Sequence, residues 1–135
     1  MKNKKLYFLG IGGIGMSALA QYFLAEGDAV YGYDLTPSPI TDMLSQKGAI
    51  IHFDDNPEHI PSDVDQVIFT PAVPKTNLEF QYFQEHGIPM YKRSQILGQG
   101  NAIPFSVKRL AQHQKRGSAD PNHILFNTAN QLQRL

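Results

Sequence analysis

The stretch LYFLGIGGIGMSALAQYFLAEGDAVYGYD, residues 6–34, decides how this chain of 135 residues folds. A short apolar run at 6–9 leads into the glycine cluster Gly10-Ile11-Gly12-Gly13-Ile14-Gly15. An apolar-periodic segment then continues to about Glu26 and is stopped by Gly27; a second β-prone run, 29–33, ends on Asp34. Strand, tight turn, helix, strand and acidic residue form the context in which G-x-G-x-x-G carries meaning. Gly10 suits the backbone angles of a sharp strand-to-helix turn, and Gly12 has no Cβ to hold a phosphate away from the main chain. Gly15 is expected to let the helix lie close to the strand. The unpaired N–H groups and positive dipole end of that helix then face outward, where a diphosphate accepts hydrogen bonds. Asp34, 19 residues beyond Gly15, stands at the tip of the second strand, where a carboxylate accepts from ribose hydroxyls. The loop reads as a cradle for a nucleotide diphosphate.

Lys2, Lys4 and Lys5 followed by uncharged residues 6–25 superficially resemble a signal peptide or spanning helix. Glycines crowded into the middle of the apolar segment weaken any such helix by roughly 1 kcal/mol each, and no stop-transfer flank follows. A membrane location is therefore not expected. One ordinary domain fits the length, and 41% hydrophobic residues suffice for a real core. Acidic and basic residues balance overall, but residues 1–99 hold seven Lys/Arg against eleven Asp/Glu and residues 100–135 five against one. The absence of cysteine removes disulfides and cysteine-ligated metal sites and is compatible with a reducing cytoplasm.

Beyond Asp34 the rhythm of strand then helix repeats. Residues 35–39 form a loop, because prolines 37 and 39 resist both helix and central strand. A short helix is expected at 40–47, stopped by Gly48, and a third strand at 49–53. Asp54 and Asp55, ahead of Asn56-Pro57, read as turn and cap residues rather than a catalytic pair. A fourth strand at 66–69 empties into Thr70-Pro71-Ala72-Val73-Pro74, a stiff loop at the carboxyl end of a parallel strand, where open α/β sheets place ligand contacts. A helix at 78–86, a fifth strand at 88–91 and a short helix at 93–97 complete a parallel, doubly wound, Rossmann-like α/β sheet of about five strands, closing near residue 98. His52, ending the third strand on the ligand side, is the one histidine with a candidate contact role. Neither a zinc-hydrolase motif, nor G-x-S-x-G, nor a basic patch interleaved with aromatics is present, so metal hydrolysis, serine hydrolysis and nucleic-acid binding find no support.

Five stretches in this order, LYFLGIGGIGMSALA at 6–20, GYD at 32–34, KGAIIHF at 47–53, FTPAVPKTN at 69–77 and HGIPMYKRSQILG at 86–98, resemble the N-terminal domain of the Mur ligases. The likeness is closest to the branch that acts on UDP-N-acetylmuramate. It implies a Rossmann-like domain, residues 1–99, that holds the UDP part of a small-molecule UDP-sugar substrate and not NAD. It further implies that Gly12, Gly13, Ile14, Gly15 and Met16 supply backbone N–H groups to the diphosphate, that Asp34 sits near the uridine ribose, and that Thr70, Ala72 and Val73 line the opposite side. The residues alone reach the same loop without choosing between UDP and a dinucleotide, so a stand-alone NAD-binding regulatory module remains the rival reading. The branch of the family that recycles murein tripeptide has a similar domain, which residues 1–99 need not distinguish.

Full-length family members are cytoplasmic and use ATP and magnesium in a central domain whose P-loop begins shortly after the stretch that matches 92–97. In its place stands GNAIPFSVKRLAQHQKRGSADPNHILF, where His113-Gln114-Lys115-Arg116 lacks the glycine and hydroxyl that hold phosphate and metal. The chain is expected to bind its UDP-sugar without ligating, with no catalytic or metal-binding residue of its own. His123-Ile124-Leu125-Phe126 resembles the helix after the family's P-loop, a pattern that a local reading-frame disturbance under residues 104–122 would produce. A non-functional gene fragment is a further alternative. Residues 100–135 are expected to be a divergent, poorly ordered or loosely docked tail, with short helices within 107–116 and 123–135 at most. Oligomeric state is not encoded in any pattern of the chain.

Overall fold

The computed structural model describes residues 3–98 and 103–112. Five parallel strands, β1 (Lys5–Leu9), β2 (Ala29–Tyr33), β3 (Ile50–His52), β4 (Gln66–Phe69) and β5 (Met90–Lys92), make one sheet in the order β3-β2-β1-β4-β5. The helices are α1 (Ile14–Ala25), α2 (Pro39–Gln46), α3 (Leu78–Glu85), α4 (Arg93–Leu97) and α5 (Phe105–Gln112). This is the doubly wound sheet read from the pattern, with the expected strands and helices in sequence order.

Central β1 explains why its run is continuously apolar. Leu6 and Phe8 enter a core shared with α1, α2, α4 and α5, whereas Tyr7 and Leu9 enter a second core beneath α3 with Phe80 and Phe83. All four strand residues are fully buried, as a strand covered on both faces must be.

Local chemistry sets the helix ends. Ser38 caps α2: its side chain accepts from the Thr41 N–H at 3.3 Å, and the Thr41 hydroxyl accepts from the Ser38 N–H at 2.9 Å. Pro39 therefore begins this helix instead of resisting it, because the first helical position needs no N–H. At α3, the Asn77 side chain accepts from the Phe80 N–H at 2.8 Å. By contrast, α1 begins at Gly13 with no side-chain cap, so the amides of its first turn stay available.

Part of the tail docks. Val107 and Ala111 of α5 are fully buried against α1, and Ile103 ahead of the helix is nearly so. Gly15 explains the close approach: a Cβ built there would run into the Ala111 carbonyl oxygen and lie 3.1 Å from Arg93 Cδ. The third glycine of the motif thus serves the α1–α5 contact, not the helix–strand packing anticipated for it. Gly15→Ala should destabilise the fold by about 1–3 kcal/mol through this overlap. Thermal unfolding together with amide exchange of residues 105–112 checks it; undiminished protection of α5 in the variant would contradict the docking. The segment 113–122 and the second tail helix anticipated within 123–135 lie outside the described residues.

Candidate functional site: the crevice above strands β1 and β4

From β1 the chain leaves toward β2 on one side, while β4 pairs with β1 on the other. At such a switch point the loops after the two central strands diverge and leave a crevice at the carboxyl edge. A cavity of about 1060 Å³ opens there, at the upper end of the sizes usual for small-molecule sites. Every anticipated site residue except Gly15 and His52 lines it.

Gly10 makes the turn. Its φ of +88° lies in the left-handed region, and a Cβ would stand 2.6 Å from Thr70 Cγ2 and 3.3 Å from Val73 Cγ2. The glycine turn and the 70–74 loop are consequently one packed unit. Within the second loop the Val73 N–H donates to the Thr70 carbonyl at 3.0 Å and the Ala72 N–H reaches Thr70 Oγ1 at 3.4 Å.

Donors at the turn divide into two groups. The Gly12 N–H donates to Asp34 Oδ2 at 2.6 Å, and the Gly13 N–H donates to the Gly10 carbonyl at 3.2 Å. These two of the five anticipated diphosphate donors are already engaged inside the protein, leaving Ile14, Gly15 and Met16 in the first turn of α1. Asp34 also accepts from the Leu35 N–H, at 2.7 Å through Oδ1. Its carboxylate therefore braces the glycine turn from the tip of β2. Each oxygen keeps a second lone pair for a ligand hydroxyl in the cavity that Asp34 lines. A Cβ on Gly12 would stand 2.7 Å from Asp34 Oδ2 and 3.1 Å from Thr41 Cγ2, so this glycine is needed for the bracing contact itself.

The opposite wall contains residues that the sequence pattern did not flag. Asp55 lines the cavity and accepts from the backbone N–H groups of Leu78 at 2.7 Å and Glu79 at 3.0 Å, capping α3 from a distance. The pair of aspartates are turn and cap residues, as their setting suggested: Asp54 lies 3.0 Å from His59 Nε2, a hydrogen bond that holds its carboxyl below the usual range. Arg93, the first residue of α4, also lines the cavity, and burial pushes its guanidinium down from the ordinary value. A cation following directly on a parallel strand was the available sign of it.

His52 turns away from the cavity into a buried cluster. Its Nε2 lies 2.7 Å from Glu79 Oε2 and 3.0 Å from the Tyr7 hydroxyl. Tyr7 donates to Glu79 Oε1 at 2.6 Å, and the Asn56 N–H donates to Oε2 at 3.1 Å. Glu79 is fully buried near the N-terminus of α3, where three converging donors and the helix dipole compensate a carboxylate. Burial, then the Glu79 contact, push the Tyr7 phenol well above its ordinary range. The His59 ring packs on His52 with centroids 4.5 Å apart, linking the cluster to the surface turn at Pro57–His59. The histidine is thus a structural strand-end residue with an uncommon partner.

Among the described residues, no group of three or more His, Cys, Asp or Glu side chains is placed to hold a metal, and no helix is long and apolar enough to cross a membrane.

A parallel sheet of this order, with an uncapped helix after its glycine turn and a proline-rich loop across the crevice, defines a Rossmann-like α/β domain. The sequence matches the family described as "Mur ligase family, catalytic domain" over residues 5–101, and the chain belongs to that family. It is 52% identical over 117 residues to the UDP-N-acetylmuramate–L-alanine ligase of Porphyromonas gingivalis, a match covering 83% of this chain and 26% of the relative. The crystal structure of UDP-N-acetylmuramate-alanine ligase from Thermotoga maritima superposes with a TM-score of 0.65 at 34% identity, over 68% of this chain and 21% of that one. A murein peptide ligase from Psychrobacter arcticus gives 0.67 at 25% identity, over 73% and 21% respectively. The chain spans about a quarter of the length of the curated relatives it matches.

Proposed function

We propose that residues 1–99 are the UDP-N-acetylmuramate-binding domain of a cytoplasmic UDP-N-acetylmuramate–L-alanine ligase of peptidoglycan synthesis. The carrying observation is the crevice between β1 and β4, where the uncapped first turn of α1 and the 70–74 loop border a space large enough for a UDP-sugar. In this reading the amides of Ile14, Gly15 and Met16 hold the diphosphate, Gly10, Gly12 and Gly13 shape the turn, and Asp34 accepts from the ribose while bracing Gly12. Thr70, Ala72 and Val73 form the far wall. Between the two muramate-type branches the folds do not discriminate, but sequence identity favours the alanine-adding one.

The ATP and magnesium that a ligase of this kind uses do not fit the described residues. The glycine turn carries neither the lysine nor the hydroxyl residue of a P-loop, and the nearby Ser17 is buried, its hydroxyl donating to the Ile14 carbonyl at 2.8 Å.

Calorimetry separates the readings. Titration with UDP-N-acetylmuramate should give saturable binding and titration with NAD none. Tight NAD binding without a response to the UDP-sugar would overturn the assignment in favour of a dinucleotide-binding regulatory module.

A further inference from the structure

Arg93 stands where the proposed site needs positive charge. Among the described residues that line the cavity it is the one cation, and Asp34 and Asp55 are the carboxylates. Both carboxylates are held by backbone amides, Asp34 by Gly12 and Leu35, and Asp55 by Leu78 and Glu79. Neither pairs with the guanidinium, and no ion pair to Arg93 occurs among the described residues. Its Nε is buried with no hydrogen-bond partner. A buried donor on a charged group without an acceptor is costly and calls for an explanation, and for one on a cavity wall a ligand is an available acceptor.

The position of the side chain says which partner. Arg93 Cδ lies against Gly15, 3.1 Å from where a Cβ would stand, so the stem crosses the first turn of α1. The guanidinium is therefore tethered beside the free amides of that turn. A planar fork of N–H donors suits the oxygens of a phosphate, and its full charge adds to the partial charge of the helix end.

Resting on the reading of the crevice as a UDP site, we propose that Arg93 is the counter-charge of the ligand's diphosphate and the residue that makes the site prefer a nucleoside diphosphate over the bare nucleoside. In this role it is a binding residue that touches the ligand, supplied by the start of α4 and complementing the amides supplied by α1.

The test titrates the full 135-residue chain with UDP and with uridine, followed by amide chemical shifts, which read weak as well as tight binding. Arg93→Gln should weaken UDP binding roughly 10- to 100-fold, the range for one charge-assisted contact to a phosphate, and change uridine binding less than about twofold. Arg93→Met keeps an aliphatic stem against Gly15 and is read in the same way should glutamine disturb the fold. Equal weakening of both ligands would mean that Arg93 only supports the turn, and an unchanged preference for UDP would mean that it does not meet the diphosphate; either overturns the inference and leaves the site reading standing. A wild-type chain that binds UDP no better than uridine removes the diphosphate reading itself, and this inference with it.

Discussion

Glu79→Ala should lower the melting temperature by roughly 12–24 °C while leaving the cavity's lining residues in place. The variant strips the acceptor from three donors at once: the Tyr7 hydroxyl, the Asn56 N–H and His52 Nε2. Tyr7 and His52 keep their contact with each other at 3.0 Å, but the Asn56 N–H and one hydrogen of that pair lose their acceptor, and each stranded polar group in an interior costs about 1–3 kcal/mol. A combined loss of about 3 kcal/mol, at 4–8 °C per kcal/mol for a domain of this size, gives that shift. The helix contributes as well, since Glu79 sits in the first turn of α3 where a negative charge is favoured. Thermal unfolding by circular dichroism measures the change. A shift of less than a few degrees would mean that the cluster is not a structural keystone and that water or rearrangement satisfies its donors.

Gly12→Val should abolish measurable UDP binding, a loss of at least about 100-fold. Its Cβ would stand 2.7 Å from Asp34 Oδ2, which must then release the Gly12 N–H, and 3.1 Å from Thr41 on α2. The branched side chain displaces the brace and enters the cavity that Gly12 lines. Stability should fall by about 1–3 kcal/mol, because the overlap is local and the sheet register does not depend on it. Binding is thereby lost in a protein that still folds, which titration alongside a melting curve demonstrates. Wild-type affinity in this variant would show that the turn closes the chain without touching a ligand.

Most of the fold was legible because its boundaries are marked by local chemistry. Gly27, Gly48 and Gly87 follow α1, α2 and α3, each at positive φ, and the β-prone runs between them pair in parallel order. The glycine turn, Asp34 and the 70–74 loop were legible for the same reason, since strand ends in a parallel sheet converge on one edge. What stayed hidden is contact between residues far apart in the chain. Asp34 sits 22 positions from the Gly12 amide it engages, and Glu79 27 from His52, so no short-range pattern marks either pair. Gly15 was matched to its usual task in the motif, whereas its neighbour is Ala111, nearly a hundred residues on. Arg93 sat in a stretch read as a short helix and as part of the family resemblance, with no role assigned to its charge, and its unpaired Nε becomes visible once the cavity is formed.

The most direct test of the central claim is a crystal structure of the chain with UDP bound. The account predicts the diphosphate within hydrogen-bonding distance of the Ile14, Gly15 and Met16 amides, with the ribose beside Asp34. A diphosphate bound elsewhere on the protein, or a first turn of α1 with its amides left to solvent beside a bound UDP, would contradict it.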